Sequence, residues 1–221
     1  MSTVKVTNLS HASAGSPAIV LDADGDAAYA GTHDFSAATV TGIPDGPQGL
    51  TLISPTSIAN SGGSASASGG AVTFTDVTSL SLNGVFTSDY DNYRIVVSRD
   101  ASAGGTLDMR LRVGGVDTSS ADYDYIRVFV YGTSSVAGAR GLSATSWYLG
   151  YMPTVRIGMC SADIFGPNLT ASTQYSAIGG SAQELTTSMG ELDLATSYDG
   201  LTLIPSAGDM TGKIRVYGYK N

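Results

Sequence analysis

Cysteine and histidine are almost absent from this chain, which restricts the chemistry it can perform. Cys160 is the one cysteine, so no disulfide can form within the chain and packing must hold the fold together. His11 and His33 lie in a glycine- and alanine-rich N-terminal segment, far in sequence from Cys160, whereas a nucleophilic cysteine needs a base beside it. Because Ile157 and Ile164 flank the cysteine, we predict an inert thiol on a buried strand.

Charged residues are also scarce, at 14% of the chain against roughly 25% in an ordinary soluble domain. The eleven basic residues are scattered and the formal net charge is −8. We expect no nucleic-acid partner, because such binding depends on lysine and arginine neutralising phosphates. No apolar run approaches the roughly 20 residues of a membrane span, and Met1–Lys5 lacks the pattern of a signal peptide. We therefore expect no membrane insertion, and assembly in a cytoplasm.

Helix signals are missing as well, whereas alternation of apolar and polar residues is frequent after residue 71. Leu107, Met109 and Leu111 alternate with polar side chains, and Ile126 and Val128 alternate with others in a later run. One face of each run is expected to pack on the core, and the opposite face is left for a different contact. Turn signals recur about every ten residues, as in sandwiches and barrels. With 28 glycines and 42% hydrophobic residues, the sequence predicts an all-β fold, an antiparallel jelly-roll-like β-sandwich.

The first 47 residues differ in composition from the rest. Their short strand-like runs, Val4–Thr7 and Ala18–Leu21, have too little hydrophobic mass to bury a face alone. Such a segment can become ordered by docking on another protein or by pairing with copies of itself. The two-proline turn Gly42–Pro47 marks a boundary. We predict an N-terminal attachment and trimerisation segment over residues 1–47 and a β-sandwich display domain over residues 48–221. The Ser/Gly-rich stretch Asn60–Gly70 is interpreted as a flexible loop, either a linker or an exposed connection within one domain.

Alternating aspartates at Asp22–Asp26 resemble the start of a calcium-binding loop. An EF-hand loop, however, needs glycine at its sixth position and glutamate at its twelfth, whereas here Gly25 is fourth and His33 is twelfth. A hairpin turn explains the same residues, because Asp and Gly accept left-handed backbone angles. We favour the turn and predict no metal site.

Groups suited to catalysis are equally few. Glycoside hydrolysis usually needs two carboxyl groups across the scissile bond, and the chain has two glutamates, Glu184 and Glu191, both in Ser/Thr/Gly-rich surroundings. We interpret them as solvated turn residues. A serine nucleophile is not indicated either, since no Gly-x-Ser-x-Gly elbow is present. The sequence predicts no catalytic residue, no cofactor and no enzymatic activity.

Aromatic side chains offer a better candidate for a binding function, with twelve tyrosines against five phenylalanines. Rings with a polar tip suit surfaces that stack on sugars or pack against other subunits. The alternative is that the one tryptophan is a core residue of the sandwich. The candidate contacts for a receptor, a glycan or another subunit are Tyr123, Tyr125, Trp147, Tyr148 and Tyr151.

Two stretches carry a family resemblance. Phe86–Val97 is a polar turn that leads into an alternating strand, and Gly212–Asn221 is a second alternating strand. Together they resemble the C-terminal β-domain of fibre and other surface proteins of tailed bacteriophages. The resemblance extends loosely over most of the chain, through the N-terminal segment and the Gly42–Pro47 junction, and none of its motifs is chemically specific.

The resemblance implies a non-enzymatic structural protein of a virion, assembled in the host cytoplasm as a homotrimer. Its N-terminal segment would bind another virion protein, and its β-domain would be displayed and could bind a host surface glycan. The order of parts fits a short tail fibre or receptor-binding protein. A capsid fibre or decoration protein would share that architecture, and a carbohydrate-binding module is a rival from another class.

Overall fold

The computed structural model describes residues 8–9, 19–21, 27–28, 49–133, 135–154, 157–181 and 183–220. The chain divides into two compact units, Met1–Pro47 and Gln48–Asn221. In the first unit, β1 (Asn8–Leu9), β2 (Ile19–Leu21) and β3 (Ala27–Ala28) form an antiparallel three-stranded sheet. The predicted strand at Val4–Thr7 and the calcium or turn residues Asp22–Asp26 lie outside the described residues.

The second unit is an all-β domain in which every pair of named strands is antiparallel, and no helix occurs among its described residues. Short, alternating and glycine-punctuated segments favour this outcome over helices. Its strands are β4 (Leu50–Ile53), β5 (Ser57–Ser68), β6 (Ala71–Asn83), β7 (Asn92–Ala101), β8 (Gly105–Val113), β9 (Val116–Asp117), β10 (Tyr123–Tyr131), β11 (Ala137–Ala144), β12 (Trp147–Met152), β13 (Gly158–Phe165), β14 (Thr173–Gly180), β15 (Glu184–Leu192), β16 (Gly200–Pro205) and β17 (Met210–Tyr219).

These fourteen strands form one curled sheet. Its order is β11-β10-β15-β14-β13-β7-β17-β6-β16-β8-β12, with β4 beside β17, β5 beside β6 and β9 beside β8. The first half of β6 pairs with β17 and its second half with β16. Asp76, near the end of the first half, has a φ of 51°, as at a bulge that bends a strand. The end strand β12 consequently lies against β14 and β15. The predicted antiparallel β-sandwich is confirmed.

The core fills the space between the two layers. On β8, Leu107, Met109 and Leu111 are fully buried, as the period of two predicts. The closing strand β17 is central, with β7 on one side and with β6 and β4 on the other. The two stretches behind the family resemblance are therefore hydrogen-bonded neighbours, and Ile214 and Val216 of β17 are buried.

The interpretation of Asn60–Gly70 as a flexible loop is wrong. Residues 57–68 form β5, which pairs with β6 along its length in a long hairpin. The main chain decides the structure here, because β6 would otherwise present a long unpaired edge. Gly69 and Gly70 make the turn with φ values of 53° and 80°, which glycine adopts without steric penalty. Small side chains on β5 gave this strand the composition of a linker.

Candidate functional site

The structure places three of the five candidate aromatic residues in the interior. Trp147 and Tyr123 are fully buried and Tyr148 is 4% exposed. The indole ring stacks on Tyr175 with 4.6 Å between ring centroids, and Tyr123 meets it edge-on at 5.3 Å. Trp147 is thus a core residue, which was the alternative to a surface role. In this structure the three rings cannot stack on a sugar.

Tyr148 belongs to a polar network between the layers. Its hydroxyl donates to a carboxylate oxygen of Glu184 at 2.7 Å, and the Arg127 guanidinium lies 4.0 Å from the centre of its ring. Burial raises the pKa of Tyr148, and the Glu184 carboxylate raises it further. Glu184 is 7% exposed, so it is a buried hydrogen-bonding group and not the solvated turn residue predicted from the sequence.

The remaining two candidates lie at the margin of the core. Tyr125 is half-buried and stacks near Tyr148, with 6.3 Å between ring centroids. Tyr151 is half-buried and contacts Tyr131 edge-on at 5.8 Å. Of the five predicted residues, these two leave ring surface for a contact outside the domain.

The most unusual surface of the domain is the outer face of β10, β15, β14 and β13. In β15, Leu185 and Met189 face outward while Glu184, Thr186 and Ser188 face inward and are buried. In β10, Ile126 and Val128 are 61% and 46% exposed. The alternation predicted for β10 is present, but its aliphatic face points away from the core. This amphipathic pattern is the reverse of that of a one-sided antiparallel sheet, and it leaves aliphatic side chains exposed on the outer face.

Aliphatic side chains form a patch at one end of this face. Strand pairing places Val130 beside Leu185, and Val128 and Ile178 on either side of Thr187. Val128, Val130, Val136, Ile178 and Leu185 line an open depression of about 250 Å³. The side chains that define this apolar patch are Val128, Val130, Val136, Met159, Ile178 and Leu185.

The other end of the face is a groove of about 380 Å³. A polar row crosses it, because strand register sets Asp124 opposite Glu191 and Glu191 opposite Gln174. Phe165 of β13 follows directly in the same row. Neighbouring members are about 4.8 Å apart, the spacing of paired strands. The apolar walls of the groove are Ile126, Leu142 and Met189, and Tyr125 also lines it.

Beyond β13 the same face becomes charged. Arg94 of β7 forms a two-point ion pair with Asp163 of β13, at 2.8 and 2.7 Å. The Tyr219 hydroxyl donates to the same carboxylate at 2.5 Å. Burial alone would raise the pKa of Asp163, but the Arg94 and Tyr219 hydrogen bonds outweigh it and hold that pKa below its ordinary value. This paired cluster limits the apolar region on one side.

The groups weighed as catalysts are spread over different places. Cys160 is buried on β13, and burial raises the pKa of its thiol to about 12. Glu184 faces inward on β15 and Glu191 outward, so the two carboxyl groups cannot flank one bond. Among the residues described, no group of three or more His, Cys, Asp or Glu side chains is placed to hold a metal ion. The described residues also include no helix long and apolar enough to cross a membrane.

Comparison with known proteins adds little. No protein-family model and no curated protein matches the chain. Among solved structures, it is similar to a crystal structure of a human SPRY domain, with 10% sequence identity and a TM-score of 0.34. The match covers 73% of this chain and 97% of the SPRY-domain chain. At this level of likeness, the assignment of the fold rests on the strand pairing of the chain itself.

Proposed function

We propose that the protein is a non-enzymatic structural protein of a tailed-phage virion, of the short tail-fibre or receptor-binding type. In this proposal three copies associate, residues 1–47 bind another virion protein, and the β-domain is displayed towards the host. The family resemblance of the Phe86–Val97 and Gly212–Asn221 stretches supports the virion assignment. The apolar patch is the observation that supports the proposed self-association, because an aliphatic sheet face of this kind needs a covering partner.

The exposure of the patch indicates how strong such an association would be. Val128, Val136, Met159, Ile178 and Leu185 are each between 46% and 68% exposed. Burying one aliphatic side chain completely is worth about 1.5–3 kcal/mol, so covering the patch is worth on the order of 6 kcal/mol. Association itself costs roughly 4–15 kcal/mol. The patch alone therefore supports weak association, to which residues 1–47 would add.

Charge restricts where copies can meet. The chain carries a formal net charge of −8, so two copies repel each other on average. The six side chains of the patch are uncharged, so close approach of two copies at this part of the domain adds no like-charge contact between those side chains.

Sedimentation equilibrium of the full chain tests the proposal. We expect a species of three times the chain mass at micromolar concentration, and dissociation to monomers for Ile178→Asp, because a carboxylate in the patch would be desolvated on association. Val116→Asp is the matched control, since Val116 is also exposed, at 68%, but lies on β9. A monomeric wild-type chain would contradict self-association. A trimer unaffected by Ile178→Asp would place the contact elsewhere.

The division of roles between the two units is tested by a chain that begins at Gln48. We expect it to fold, with β-type circular dichroism, and to associate more weakly than the full chain because it lacks the segment assigned to trimerisation. It should also fail to incorporate into particles. An insoluble or unfolded product would contradict the proposed independence of the β-domain.

A capsid fibre or decoration protein is the alternative within the same class. Immunogold labelling of the intact particle distinguishes the two, since gold at the tail supports the first proposal and gold on the head supports the second.

The groove favours a third candidate, a carbohydrate-binding module, because its row of hydrogen-bonding groups beside an exposed ring is what sugar recognition requires.

A further inference from the structure

We propose that the groove binds a neutral saccharide, held through hydroxyl hydrogen bonds to Asp124, Glu191 and Gln174 with one sugar ring against Phe165. This inference rests on the proposed function and deepens it, since it names the class of host molecule and the residues that would contact it. The groove volume of about 380 Å³ lies within the roughly 300–1,000 Å³ of small-ligand sites.

The polar row calls for a ligand rich in hydrogen-bond donors. Asp124 accepts one hydrogen bond from the Ser143 main-chain N–H at 2.7 Å, which fixes its carboxylate and leaves further acceptor positions. Glu191 contributes a second carboxylate directly opposite on the neighbouring strand. Ionised carboxylates only accept hydrogen bonds, while the Gln174 amide both donates and accepts. Sugar hydroxyls match this set because each donates one hydrogen bond and accepts others.

Electrostatics decides between classes of ligand. Asp124 and Glu191 are like charges at adjacent cross-strand positions, which repel each other. No lysine or arginine is among the residues that line the groove, so an anionic glycan would meet two carboxylates there without an opposing charge in the lining. A purely apolar ligand would strip water from two carboxylates without replacing its hydrogen bonds, at a cost of several kcal/mol. A neutral polyol avoids both penalties.

The groove is built on rigid elements. The main-chain carbonyl of Glu191 accepts a hydrogen bond from Trp147 Nε1 at 3.2 Å, and Tyr175, which lines the groove, stacks on the same indole. The three polar residues and Phe165 are on paired strands, and sites on strands hold their geometry better than sites on loops. Trp147 thus supports the groove from the core side of the sheet and does not contact the ligand.

Phe165 provides the apolar contact. Its side chain is 42% exposed, so part of its ring is open to the apolar face of a sugar.

Gly190 keeps β10 and β15 close together at the polar row. A Cβ at this position would collide with the Asp124 carbonyl oxygen and force the two strands apart there. A single groove of this kind binds weakly, and display in three copies would raise the effective affinity.

The test is saturation-transfer-difference NMR on the full chain with neutral trisaccharides of glucose, galactose, mannose and N-acetylglucosamine. We expect millimolar binding of at least one of them, weakened about tenfold or more by Gln174→Ala and by Phe165→Leu, which removes the flat ring but keeps an apolar side chain. Gln183→Ala makes the same change as Gln174→Ala at an exposed position outside the groove, and should leave binding unchanged. Equal thermal midpoints confirm that each variant is folded.

Four results would overturn the inference: binding of none of the trisaccharides, a preference for acidic saccharides, loss of binding with EDTA, or binding unaffected by both groove variants. The oligomeric state is measured on the same samples. A trimer that binds no neutral saccharide removes the groove proposal and leaves the structural role. A monomer that binds through Gln174 and Phe165 keeps the groove and removes the trimer.

Discussion

Replacing Trp147 with alanine is expected to lower the free energy of unfolding by about 3–5 kcal/mol, the range for deleting a large buried aromatic side chain. Trp147 is fully buried between Tyr123 and Tyr175. The substitution would leave a large cavity between the two layers of the sandwich. It would also remove the donor for the Glu191 main-chain carbonyl, which adds the penalty of an unsatisfied acceptor.

Urea denaturation measures this effect. It is followed by far-ultraviolet circular dichroism, a signal that does not depend on tryptophan. Tyr131→Ala is the matched control, because Tyr131 is 48% exposed and a surface aromatic should contribute under about 1 kcal/mol. A loss below 1 kcal/mol for Trp147→Ala would contradict the central position of this residue in the core. The expected instability also means that weak host adsorption by Trp147→Ala would report unfolding and not a lost receptor contact. Recognition is better tested with Gln174 and Phe165.

The two uses of Trp147 could not be separated from the sequence. Large aromatic residues serve equally well as core anchors and as binding platforms, and the Trp147–Tyr151 run has neither a clear alternation nor a charged flank. The structure resolves the choice because β12 is the end strand that folds over β14 and β15. A strand in that position has one face in the centre of the sandwich, whatever its composition.

The period of two predicts the strands well but not which face of each strand is buried. It correctly indicates β8 and β17, where the aliphatic side chains are inside. In β10 the same pattern faces outward, because Arg127 packs inside on Tyr148 among the polar inward residues of β15. Nothing within the β10 sequence contains this information, since the register is set by partner strands that are distant along the chain, as in the pairing of Tyr123 with Leu192.

The groove was inaccessible to sequence reasoning for the same reason. The row that crosses it takes one residue from each of four strands, the polar Asp124, Glu191 and Gln174 and the aromatic Phe165, and no local motif connects them. Asp124 and Glu191 become neighbours only through the pairing of β10 with β15. The short spacing that identifies metal loops or nucleophile elbows has no equivalent for a site assembled across a sheet. Of the five aromatic residues suggested by the sequence, Tyr123, Trp147 and Tyr148 are buried, which the sequence does not reveal because burial is a tertiary property, whereas Tyr125 lines the groove.

The polar interior on the β10 and β15 side has a consequence for pH dependence. Asp108 of β8 is half-buried, and burial raises the pKa of its carboxyl group from 3.8 to about 6, although Thr106, Arg127 and Arg110 oppose the shift. The folded protein therefore binds this proton more tightly than the unfolded chain does. The resulting stabilisation is complete below about pH 4 and is lost as the pH rises through about 6.

Asp108→Asn is accordingly expected to be more stable than the wild-type protein at about pH 8. A shift of roughly two pKa units corresponds to at most about 3 kcal/mol, and the residual solvent exposure of Asp108 makes the gain smaller. The advantage of the variant should shrink through pH 6 and vanish near pH 4, where the wild-type carboxyl is protonated too. Urea denaturation at a series of pH values measures the difference, with Asp193→Asn as the control at an exposed position. Parallel stability curves for the wild type and Asp108→Asn across this range would show that the Asp108 carboxyl is not held in a desolvated site.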